Sequence, residues 1–125
     1  MDYRTIHTLE REEFVIFYVD LSNATEEEFC KKILEMEEKG MASTVPFGII
    51  NRTNQLFITP KMRQTSSKIG ANLKKNNLFV GISIYGGFNS FVTVVAKFAF
   101  SEMNFGKTLK ECVGILEVLY EKKMK

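Results

Sequence analysis

Between residues 78 and 100 the chain reads LFVGISIYGGFNSFVTVVAKFAF. An apolar run, 78–85, meets Gly86 and Gly87, and a second apolar segment opens with Asn89 and Ser90. This pattern predicts a buried strand, a tight turn and a helix laid back on a sheet. Residues 14–21, FVIFYVDL, are aromatic and β-branched without clean alternation, which predicts another strand buried on both faces. Residues 4–9 predict an edge strand before it, with 10–13 as the turn. Pro46 suits a strand's first position, since it cannot donate to a ladder, and 47–52 follow as strand. Residues 56–58 are a shorter apolar stretch beyond the polar loop 51–55. Residues 102–105 predict a short last strand.

Helical periodicity fills the gaps. Thr25 and Glu28 have capping-box spacing, Glu26, Glu27 and Glu28 suit the positive end of a helix dipole, and Phe29, Ile33 and Met36 form the apolar stripe. Gly40 is the expected stop. Thr59 and Pro60 open a second helix, thinly apolar at Met62, Ile69 and Leu73, with Asn76 and Asn77 at its end. Phe88, Phe91, Val92, Val95, Phe98 and Ala99 fall at helical spacing. Thr108 and Glu111 open a final helix faced by Cys112, Val113, Leu116, Leu119 and Tyr120. Alternating strands and helices predict an α/β fold: a mostly parallel sheet of four to five strands with about four flanking helices.

Length changes the picture little: 125 residues suit one domain with one core. Cys30 and Cys112 are far apart in sequence, lack CxxC spacing and read as buried free thiols. The first residues, MDYRTIHTLE, lack a secretory pattern, and no apolar run has the ~18 residues of a membrane span. A cytoplasmic setting is the expectation. Charge is more informative. Residues 1–38 carry 11 acids and 4 bases, a net of −7, whereas residues 39–101 carry 8 bases and no acid. Such a division marks either an anion-binding face or two elements that neutralise each other.

Chemistry-bearing patterns are sparse. His7 is the lone histidine and has no metal-spaced partners. A nucleophile needs a base beside it, and residues 39–101 offer no carboxylate for that role. Asp20 closes the first buried strand, where a turn or cap role is the plainer reading. There is no GxxxxGK[ST] and no GxGxxG loop. No residue pattern calls for a metal or cofactor. The candidate site is therefore positional, at the carboxyl ends of the parallel strands. It gathers Asn51, Arg52, Thr59, Tyr85, Gly86, Gly87, Asn89 and Ser90. The glycines allow close backbone approach, the following helix offers its positive end to an anion, and Arg52 adds charge. The basic helix (Lys61, Arg63, Lys68, Lys74, Lys75) lacks interleaved aromatics, which disfavours nucleic acid.

Three phrases carry a family resemblance: VDLSNATEEEF, LFVGISIYGG with the apolar segment behind it, and FGKTLKECVGIL. Over residues 14–119 the chain resembles the STAS/Sec14-like group, SpoIIAA-like small bacterial domains related to anti-sigma-factor antagonists and lipid-transfer folds. The last phrase is similar to the family's Phe, capping Thr with Glu, then apolar helix, here Phe105, Thr108, Glu111 and Leu116. Antagonists of that group present a phosphorylatable serine after an aspartate. The corresponding region here is NRTNQLFITPKM, with Asn51 in place of an acid and Thr59 as the nearest hydroxyl, which argues against a phosphoswitch.

The resemblance implies a non-enzymatic regulatory or protein-interaction module whose partner is a regulatory protein or, through the apolar segment 88–99, a second copy. The alternative is a carrier of a small anionic ligand or lipid, held at the strand ends.

Overall fold

The structure, a computed structural model, describes residues 5–53, 59–86 and 103–125. Five strands form one sheet in the order β1 (His7–Glu10), β2 (Val15–Asp20), β3 (Phe47–Arg52), β4 (Phe79–Tyr85) and β5 (Met103–Phe105). β1 runs antiparallel to β2, and every other neighbouring pair is parallel. β4 therefore lies inside the sheet, parallel to both β3 and β5, as the apolar run at 78–85 predicts. The expected elements at 56–58 and 88–99 lie outside the described residues.

Three described helices cover the sheet: α1 (Glu26–Met41), α2 (Pro60–Lys74) and α3 (Leu109–Met124). Each begins on a threonine whose hydroxyl accepts a backbone N–H three residues on: Thr25 from Glu28, Thr59 from Met62 and Thr108 from Glu111. The Glu28 carboxylate accepts the Thr25 N–H in return, completing the capping box.

α1 and α2 pack on one face of the sheet, where Ile33, Met36, Ile69 and Leu73 meet Phe17, Val19, Phe47, Ile49 and Phe79. α3 lies on the other face, where Cys112 and Leu116 meet Ile16, Ile50 and Val80. The two thiols are free and buried, one on each side of the sheet. Burial pushes the Cys112 thiol above its ordinary range, so it is held protonated and unreactive.

Two glycines are explained by packing. The expected stop at Gly40 is corrected: α1 runs on to Met41 and is capped at Ala42. Gly40 is there for the Phe47 ring, whose Cε2 lies 2.5 Å from where a Cβ would stand. Gly48 does the same on the other face, leaving room for Leu116, whose Cδ1 would lie 2.9 Å from its Cβ. Bare backbone, at Gly40 on α1 and at Gly48 on β3, lets both helical layers sit close to the sheet.

Candidate functional site

β2, β3 and β4 end level with one another: Asp20 pairs with Arg52, and Arg52 with Tyr85. These three side chains follow from strand alternation onto the α3 side of the sheet, beyond the part that α3 covers. An Arg52 Nη1 lies 3.7 Å from an Asp20 carboxylate oxygen, with both side chains about half exposed. The Arg52 guanidinium carbon stands 5.8 Å from the Tyr85 ring centre, within cation–π range. The Tyr85 and Tyr18 hydroxyls share a 2.9 Å hydrogen bond that spans β3. Tyr18 in turn stacks on His7 at 6.0 Å between ring centres. The result is a row of His7, Tyr18 and Tyr85, exposed at the histidine and half-buried at the two tyrosines, edged by Arg52 and Asp20.

Burial first, and then the hydrogen bond to Tyr18, push the Tyr85 phenol well above its ordinary range. It is a neutral hydroxyl at physiological pH and serves as a hydrogen-bonding group. Asp20 also fulfils the turn role read from the sequence, because its Oδ1 accepts the Ser22 N–H at 2.9 Å. The backbone closes the site tightly: the Leu21 N–H donates to the Arg52 carbonyl at 2.7 Å and the Thr53 N–H to the Tyr85 carbonyl at 2.9 Å. Gly86 follows with φ +148, a conformation that disfavours any side chain.

The structure divides the sequence candidates. Arg52, Tyr85 and Gly86 come together at this rim. Thr59 is the N-cap of α2, its hydroxyl oxygen engaged 3.2 Å from the Met62 amide nitrogen. Gly87, Asn89 and Ser90 lie outside the described residues. Asn51 is one residue from Arg52 and so faces the opposite layer. It is buried, and its Oδ1 has no hydrogen-bond partner among the described residues. It borders a void of about 30 Å³ whose other walls are Ser66 and apolar side chains such as Ile33, Ile69 and Ile82. A buried acceptor without a partner costs stability. Asn51→Leu is therefore expected to raise the unfolding free energy by about 1 kcal/mol, whereas Asn51→Asp lowers it at neutral pH; urea denaturation measures both.

His7 and Tyr18 were not among the sequence candidates. Strand pairing alone brings residues 7, 18 and 85 into line, and no local pattern reports it. Among the described residues, no group of His, Cys, Asp and Glu is placed to hold a metal.

A larger surface concavity, about 460 Å³, lies at the other end of the sheet between the β1–β2 turn and the last turns of α3. Phe14 stacks on Tyr120 in its wall, 4.8 Å between centres. Both of its bases are already paired: Arg11 with Glu117 at 3.2 Å, and Lys125 with Glu13 at 2.9 Å and with Glu121 at 3.3 Å. This self-pairing makes it a clasp holding α3 to the turn, and the rim is the better site. Hydrogen bonds from Lys125 and then Tyr120 hold the Glu13 carboxyl below its ordinary value of 4.5. A lowered folded-state value means stability that is present above pH 4.5 and is lost as pH falls through the folded value. Glu13→Gln is thus expected to be less stable than the parent at pH 7, the gap closing as acid titrates Glu13; urea midpoints across pH measure it.

No protein-family model and no curated protein matches the chain. Among solved structures, a serine-to-glutamate variant of RsbS from Moorella thermoacetica matches with a TM-score of 0.66. The match covers 93% of this chain and 97% of that one at 11% identity. The fold is STAS-like. At that identity the likeness concerns the fold alone. No helix among the described residues is long and apolar enough to cross a membrane.

Proposed function

We propose that the chain is a single-domain, non-enzymatic regulatory module of the cytoplasm that recognises a protein partner through the rim of Asp20, Arg52, Tyr85, Tyr18 and His7. The observation that carries this reading is the rim itself, where aromatic rings and an Arg–Asp pair stand half exposed on a STAS-like frame. Tyrosine and arginine anchor protein interfaces because they combine apolar area with directed hydrogen bonds. The neutral Tyr85 phenol and the cysteine locked as a thiol offer no activated nucleophile. Affinity capture from lysate with the parent and with Arg52→Glu and Tyr85→Ala tests the reading. A protein retained by the parent and lost from both folded variants is the expected result; identical capture by all three overturns it.

A second reading has one observation in its favour: Arg52 stands beside the backbone of Gly86, where a small anion could approach. In that case the chain carries an anionic ligand or acidic lipid headgroup. Isothermal titration with inorganic phosphate, and with vesicles containing acidic lipid, separates the two. Heat that is lost in Arg52→Ala supports the carrier, and its absence removes it.

A further inference from the structure

We infer that the outer surface of α1 and α2 is a self-complementary interface for a second copy of this chain. It is a different surface from the rim and stands or falls separately from the function proposed there.

The two helices lie side by side on one face of the sheet. The Asn72 amide donates to the Glu37 carboxylate at 3.3 Å and the Asn76 amide contacts the Met41 sulfur at 3.4 Å. Each joins the carboxyl end of one parallel strand to the amino end of the next, so they point the same way. At 16 and 15 residues they are also nearly equal in length, about 23 Å.

Their outer faces differ in charge. α1 carries Glu26, Glu27, Glu28, Glu35, Glu37 and Glu38 against three lysines. α2 with its cap carries Lys61, Arg63, Lys68, Lys74 and Lys75, all exposed, and no acid. Lys61, Arg63, Lys68 and Lys75 form no ion pair among the described residues, so these four charges of α2 are not neutralised by α1 of the same chain. Lys61 and Arg63 even sit in the first turn of α2, the end where helix dipoles disfavour cations. The outer stripe of α1 also bears apolar side chains: Leu34, Met41 and, just beyond the helix, Val45 are 46%, 50% and 43% exposed.

A two-fold axis in the plane of the interface, running along the helices midway between α1 and α2, lays α1 of each copy on α2 of the other. Glu26, Glu27 and Glu28 then meet Lys61 and Arg63 of the second copy. Glu37 and Glu38 meet its Lys74 and Lys75, while Leu34 lies between the two charged ends. The contact repeats itself by symmetry, as a closed isologous dimer requires. An acidic macromolecule bound to α2 alone would leave Leu34, Met41 and Val45 open to water and would be repelled by α1. A second copy covers both helices at once.

Sedimentation equilibrium of the full chain at low and high salt tests this. The expected result is a dimer that weakens as salt rises. Lys61→Glu with Lys68→Glu, and separately Glu27→Lys with Glu38→Lys, should each weaken self-association about tenfold or more. An equimolar mixture of the two variants should recover the dimer, because both helix pairs then become attractive again. Circular dichroism establishes that the variants are folded. A parent that stays monomeric at low salt and high concentration overturns the inference. So does a dimer indifferent to both reversals, a mixture that fails to associate, or a monomer that binds only nucleic acid.

Discussion

Gly86→Ala is expected to lower the unfolding free energy by about 3 kcal/mol or more, read as a shift of the urea midpoint with little change in slope. Two physical costs combine. The residue sits at φ +148, where an L side chain is strained. Its Cβ would also collide with the Thr53 carbonyl oxygen and stand 2.7 Å from the carbonyl carbon. That neighbour is backbone, fixed by the Thr53 N–H bond to the Tyr85 carbonyl, so it cannot turn aside as a side chain would. Relief requires the ends of β3 and β4 to part, which opens the row of Asp20, Arg52 and Tyr85. Gly70→Ala is the control. Gly70 is helical and nothing lies within 4 Å of its would-be Cβ, so this change should add about 0.5–1 kcal/mol. Two glycine-to-alanine changes of opposite sign separate the special backbone of the rim from any general effect of the substitution.

Phe47→Ala is expected to cost about 3–5 kcal/mol, a large part of the stability of an ordinary domain. Phe47 is fully buried and lies between Phe17 and Phe79, with ring centres 6.0 and 5.6 Å away. Its ring also fills the space above Gly40. This predicts a reversal of sign across a double-mutant cycle. In the parent, Gly40→Ala drives a methyl into the ring and destabilises. In the Phe47→Ala background that obstacle is gone, and alanine improves on glycine within a helix by up to about 1 kcal/mol. Denaturant midpoints of the four proteins measure the coupling. Simple additivity would mean that Gly40 answers to something other than Phe47.

These residues also show what the chain discloses before it is folded. Signals that act within a few residues were legible: threonine caps at Thr25, Thr59 and Thr108, Pro46 ahead of β3, and the apolar run that became β4. The mostly parallel α/β sheet followed from their order, and its STAS-like form was implied by the family resemblance. Gly40 was misread because glycine after an apolar stripe has the same appearance whether it ends a helix or receives a ring from the next strand. Of the candidate site, Arg52, Tyr85 and Gly86 were legible as strand ends. Asn51 sits on the other layer, and a strand buried on both faces has no alternation to reveal which side each residue takes. His7 and Tyr18 entered only through register, since β1 had to fold back antiparallel on β2 before His7 stood opposite Tyr18.

The hydroxyl bridge between Tyr18 and Tyr85 has a practical outcome. The chain has four tyrosines and no tryptophan, so its ultraviolet emission is not drained by transfer to an indole. Two of those four fluorophores are hydrogen-bonded to each other beside Arg52, which gives the molecule an intrinsic optical reporter at the surface where recognition is proposed.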